Sequence, residues 1–112
     1  MAGLADEQCT ALSSGAAGAS PAEVAELKPQ VPGWTVVNDG MDKPERSYTF
    51  ESFAEALAFT NKVGAIAEEQ GHHPQLTTEW GRTTVRWWTL VAGGLHRNDF
   101  IMAAKTDALA EA

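Results

Sequence analysis

Three histidines and four tryptophans occur among 112 residues, and all three histidines, with three of the tryptophans, fall between positions 72 and 96. The densest point is His72-His73-Pro74, with Glu68 four residues upstream and Trp80 shortly after. Histidine changes charge nearest neutrality, so a pair at a helix-to-strand junction suits general acid and base work. Metal binding fits less well, because adjacent side chains on an extended segment point to opposite faces and rarely converge on one ion. No metal is expected here. The bland alternative is two half-exposed histidines at a turn.

The elements around this segment can be read from local signals. Residues 1–19 hold only Leu4 and Leu12 as large apolar residues and are rich in Ala, Gly and Ser, which predicts a flexible tail ahead of a domain spanning 20–112. Ser20-Pro21-Ala22-Glu23 predicts a capped short helix through Leu27, ended by Pro29 and Pro32. Trp34–Val37 and Glu45–Phe50 read as a hairpin with a longish loop around Asn38-Asp39-Gly40. Ser52 and Gly71 bracket a helix from Phe53 to Gln70, whose apolar set Phe53, Ala56, Leu57, Phe59, Val63, Ile66 and Ala67 wraps half its circumference. One margin covers a sheet, and the spare margin is available to a second subunit. Gln75–Trp80 and Thr83–Leu90 read as strands joined at Gly81-Arg82, and Asn98–Ala110 as a final helix. The order α-β-β-α-β-β-α implies an α+β two-layer sandwich, a four-stranded antiparallel sheet with helices on one face and the other open.

Composition narrows the function classes. A formal charge of −7 argues against nucleic acid, whose binding is driven by Lys and Arg displacing counterions. No apolar run approaches the length of a membrane span, so no membrane partner is expected. The lone Cys9 cannot make an internal disulfide, in keeping with a reducing cytoplasm.

Glu68, three residues, His72-His73-Pro74, five residues, Trp80, then Gly94-Leu95 and Asp99 resemble the signature of the pterin-4a-carbinolamine dehydratases, over roughly the last 90 residues. The resemblance implies the sandwich fold, a homodimer or tetramer, and removal of the 4a-hydroxyl from a hydroxytetrahydropterin without cofactor. It makes His72 and His73 catalytic, gives Glu68 a role in orienting His72 or binding pterin, and puts Trp80 and Asp99 in the family's aromatic and acidic substrate-binding positions. The family's third histidine falls ten residues after Trp80, and that position is Leu90. Leucine cannot move a proton, and losing one acid/base group costs about 10² to 10⁴ in rate. His96 lies beyond Gly93-Gly94, where a loop histidine is poorly held for this work.

Strand alternation sorts Thr83, Val85, Trp87 and Thr89 inward and Thr84, Arg86, Trp88 and Leu90 outward. Arg86, Trp88 and Leu90 thereby form a candidate protein-binding face of interface-type residues. Together with Leu90, the segment WWTLVAGGLHRNDFIMAAKTD is similar to pterin-dehydratase-like proteins of α-carboxysomes that act as RuBisCO assembly factors. The leading expectation is therefore a catalytically degenerate assembly factor, with RuBisCO subunits or another carboxysome protein as partner. An active dehydratase is the alternative. The family also includes transcriptional dimerisation cofactors, which nothing here favours specifically.

Overall fold

The computed structural model describes residues 3–12 and 17–111. In it α1 (Pro21–Leu27), β1 (Thr35–Asn38), β2 (Asp42–Thr49), α2 (Phe53–Gln70), β3 (Gln75–Glu79), β4 (Arg82–Arg86) and α3 (Arg97–Glu111) follow one another in the expected order. The sheet is antiparallel throughout, in spatial order β1-β2-β4-β3. Helices cover one face, as the sequence predicts.

Local chemistry sets the element ends. Ser20 and Ser52 accept from the backbone N–H of Glu23 and Glu55, both at 3.1 Å, capping α1 and α2. Gly71 closes α2 at φ 66°, a left-handed conformation that favours glycine. The β1–β2 loop is shorter than expected, because Asn38 already pairs with Asp42 and β2 runs through Pro44. Proline is tolerated there because its carbonyl accepts from Trp87 N. Its nitrogen faces that same side, so no β1 ladder bond is lost.

The inward residues Thr83, Val85, Trp87 and Thr89 are all buried, as alternation requires. They meet Phe59 and Val63 of α2, Phe100, Ile101 and Met102 of α3, and Trp34 with Tyr48 from the first hairpin. Burying each large side chain contributes about 1.5–3 kcal/mol, enough for one core to hold the sheet ends in place. On α2 the spare margin stays uncovered, with Phe53 and Leu57 exposed.

The described part of the first 19 residues differs from the loose tail expected of it. Leu4 is 4% exposed and joins the core, and Lys105 Nζ donates to the Ala5 carbonyl at 2.8 Å. Arg97 grips Glu7 with two hydrogen bonds of 2.9 and 2.7 Å. One apolar anchor and several long-range polar ties offset the ordering entropy that composition alone suggests would win. Residues 1, 2 and 13–16 of that segment lie outside the described residues. Among the described residues no helix is long and apolar enough to cross a membrane.

Candidate active site

The end of α2 and the start of α3 meet at His72. Once Gly71 turns the chain out of α2, His72 N donates to the Ala67 carbonyl at 3.2 Å and the imidazole lies 7% exposed in the interior. Its ring stacks beside Trp87, with centroids 6.0 Å apart and planes 12° apart. His72 Nε2 is 2.7 Å from Asp99 Oδ1. A carboxylate only accepts, so Nε2 carries the proton and Nδ1 keeps its lone pair. Nδ1 has no protein partner among the described residues.

Asp99 is fully buried, and its two oxygens do different work. Oδ2 accepts from Thr89 Oγ1 at 2.9 Å and from His96 N at 3.0 Å, the second bond being the return half of a cap on α3. His96 completes that cap by accepting from Asn98 N through Nδ1 at 3.0 Å. His96 is therefore a helix cap rather than a substitute for the missing third histidine. Oδ1 is left to hold His72.

His73 points the other way, as expected of adjacent residues. It is exposed, with Nε2 2.5 Å from Glu68 Oε1. Glu68 therefore orients His73, where the sequence pointed to His72. The correction has a local cause: the helix ends at Gln70, so the i to i+4 geometry that would aim Glu68 at His72 no longer holds, and the left-handed Gly71 brings His73 back over Glu68.

Trp80 does not join this group. It occupies the two-residue β3–β4 turn with Gly81, 73% exposed, because Glu79 pairs with Arg82. About 16 Å of strand separates it from the histidine end of β3. The sequence placed Trp80 in the strand and the turn one residue later; Gly81 at φ 75° accounts for the shift.

On the open sheet face, Arg86 and Trp88 lie on the same side as expected, but both are engaged within the chain. Arg86 is 2.5 Å from Glu45 and 3.1 Å from Asp39, and Lys43 Nζ sits 4.6 Å from the Trp88 ring centroid. Leu90 lies past the end of β4 in a 3₁₀ turn (Leu90–Ala92), 72% exposed. The residue before it, Thr89, is fixed to Asp99; inward alternation marked it as buried without revealing that bond.

A cavity of about 400 Å³ opens beside His72, lined on one side by Gln70, Gly71, His72 and Asn98 and on the other by Cys9 to Leu12. This volume lies within the usual range of small-ligand sites. A larger cavity of about 660 Å³ between α1 and the Gly93-Gly94 turn contains none of the histidines. Among the described residues no three His, Cys, Asp or Glu side chains converge as metal ligands.

Comparison with known proteins gives the family. Residues 17–109 match the family model described as pterin 4 alpha carbinolamine dehydratase. A protein of Syntrophotalea carbinolica, provisionally named pterin-4-alpha-carbinolamine dehydratase, is 51% identical over 112 residues, covering 99% of this chain and 100% of that one. Among solved structures, a transcriptional coactivator/pterin dehydratase from Brucella melitensis is similar with a TM-score of 0.75 at 30% identity, over 83% of this chain and 98% of that one. A pterin dehydratase-like RuBisCO assembly factor of the alpha-carboxysome is similar at a TM-score of 0.59 and 24% identity, covering 70% of this chain and 89% of that one. That last likeness is one of fold, and it does not carry the carboxysome subgroup suggested by residues 87–107. With the family model matched from residue 17 to 109 and a full-length relative half identical, the chain belongs to the pterin-4a-carbinolamine dehydratase family.

Proposed function

We propose that this protein is a working pterin-4a-carbinolamine dehydratase, and the observation that carries this reading is the buried His72–Asp99 pair at the wall of a cavity that His72 lines. In the reaction the C4a–O bond breaks, the oxygen leaves as water after gaining a proton, the N5 proton is removed, and an N5=C4a double bond forms in the quinonoid dihydropterin. His72 Nδ1 is the base for the N5 proton, and Asp99 stabilises the imidazolium that results. The departing hydroxyl takes its proton from water; His73, paired with Glu68, exposed and outside the cavity lining, relays protons between that water and solvent. The relatives' names support the same activity.

Leu90 removes the third histidine of the family pattern, so the enzyme is expected to be slower than one with all three. The test is dehydration of 4a-hydroxytetrahydropterin generated in situ. Wild type should exceed the buffer rate, His72→Ala should fall to near it, and Leu90→His should raise the rate by up to about 10². Wild-type turnover equal to buffer would overturn the reading.

One observation, the exposed Leu90 in place of histidine, favours a second reading in which the face of Arg86, Trp88 and Leu90 serves RuBisCO assembly. Coexpression with RuBisCO subunits separates the two: a yield of assembled enzyme that depends on Trp88, in a protein without turnover, would support assembly over catalysis.

A further inference from the structure

The cavity beside His72 has two walls from different parts of the chain. Gln70, Gly71, His72 and Asn98 belong to the part of the chain that the family model matches, whereas Cys9 to Leu12 precede its first matched residue, Ala17. Six hydrogen bonds to Gln70 and Asn98 hold that outer wall, two of them from the Thr10 hydroxyl to Asn98 Oδ1 at 3.4 Å and from the Cys9 thiol to the Asn98 carbonyl at 3.9 Å. Cys9 N donates to Gln70 Oε1 at 2.9 Å, Gln70 Nε2 donates to Gln8 Oε1 at 2.7 Å, Thr10 N donates to Asn98 Oδ1 at 3.0 Å, and Asn98 Nδ2 donates to the Thr10 carbonyl at 2.9 Å. Both clamping residues are near neighbours of the catalytic pair: Gln70 stands two before His72, and Asn98 one before Asp99. Further back the strap is fixed by Glu7 on Arg97 and by buried Leu4.

We infer that the strap Gln8–Leu12 is the outer wall of the pterin site, a substrate-binding element against which the pterin packs as it faces His72. The inference rests on the dehydratase reading above. It follows from placement: a ligand that fills the cavity and touches His72 lies between the strap and the end of α2. The strap carries no acid or base suited to the reaction; the Cys9 thiol is half-buried and burial pushes it up to about 11. Its contribution is therefore to binding and to exclusion of water from the base, so it acts on KM more than on kcat.

The experiment measures binding of a non-reacting pterin, 7,8-dihydrobiopterin, by calorimetry, alongside KM and kcat. Two variants are used: Ala11→Trp, which adds bulk at an exposed position of the rim, and Gln70→Ala, which cuts both ties to α2. At least one should raise Kd and KM by about tenfold or more with kcat within threefold and an unchanged circular dichroism spectrum. Wild type that binds the pterin while both variants bind it within twofold of wild type overturns the strap inference and leaves the dehydratase reading standing. Wild type that neither binds pterin nor turns over overturns both.

Discussion

Asp99→Asn reverses the chemistry of His72 while keeping its position. In the native site Asp99 Oδ2 accepts from Thr89 Oγ1 and His96 N, and Oδ1 accepts from His72 Nε2. Asparagine has the same shape but only one acceptor oxygen, and two fixed donors, a threonine hydroxyl and a backbone N–H, claim it. The amide nitrogen is left facing His72 and donates to Nε2, which forces the proton onto Nδ1, the nitrogen proposed as the base. A base becomes a nitrogen already protonated. Loss of one acid/base group costs about 10² to 10⁴ in rate, or about 3–5 kcal/mol of barrier; the corresponding inversion in a Ser-His-Asp triad sits near the upper end, about 10⁴. Stability should fall by only about 1–2 kcal/mol, since charge-assisted bonds become neutral ones without any donor losing its partner. Stopped-flow dehydration kinetics measure the rate, and nitrogen-15 NMR of the imidazole reads the tautomer directly, Nε2–H in wild type and Nδ1–H in Asp99→Asn. A variant with the inverted tautomer and turnover within threefold of wild type would refute the base role of His72; a wild-type ring protonated at Nδ1 would refute the argument at its first step.

Further outcomes follow from other parts of the molecule. Asp107 accepts from Trp34 Nε1 at 3.0 Å, from Arg46 at 2.9 Å and from the Tyr48 hydroxyl, so Asp107→Ala leaves two nearly buried donors without a partner. The expected loss is about 2–4 kcal/mol by urea denaturation, and a change below about 1 kcal/mol would contradict it. Burial raises the Cys9 thiol from 9.0 to about 11, which lowers the thiolate fraction at pH 8 about a hundredfold relative to the unfolded chain. Iodoacetamide should accordingly modify native protein far more slowly than urea-unfolded protein, and equal rates would oppose the burial. Burial, then the bond to Asp107, pushes the Tyr48 phenol well above its ordinary 10.0. Both groups are held protonated in the fold, so their stabilisation is complete below the unfolded pKa values and is lost as pH rises beyond about 9 to 10; the denaturation midpoint should fall on that alkaline side and stay level below it. Exposed Phe53 and Leu57 on α2 are proposed to be covered by a second copy of the chain, giving a dimer by light scattering at micromolar concentration. A monomer there would remove that assignment.

What the sequence made legible was whatever short-range chemistry decides. The ends of α2 follow from Ser52 and Gly71, and the inward set on β4 follows from alternation, because both depend only on neighbours along the chain. Register is a different matter. The position of Trp80 depends on Glu79 pairing with Arg82 across the hairpin, and a shift of one residue moved it from the strand into the turn. The partner exchange at the histidines was likewise out of reach, since Glu68 is close to His72 in sequence but a left-handed glycine lies between them, while Asp99 arrives from 27 residues away. The first 19 residues were misread for the same reason: their Ala, Gly and Ser content is that of a loose segment, and the side-chain ties that fix their described part span 61 to 100 residues.

The two oxygens of Asp99 bear on whether this site still does chemistry. Capping α3 and fixing Thr89 employ Oδ2, and a serine or threonine at the cap would serve a helix about as well. The second oxygen adds nothing to the cap. It holds an imidazole in one tautomer at the edge of a cavity, at the expense of keeping a charged group fully buried, where well-packed apolar residues are often at least as stable. A fold used only as a docking scaffold has no need of that arrangement, because its binding surface lies on the far side of the sheet. Leu90 changes an exposed position and leaves this interior network whole. The network is therefore the stronger indication of function, and it favours catalysis with two histidines over a scaffold that has lost it.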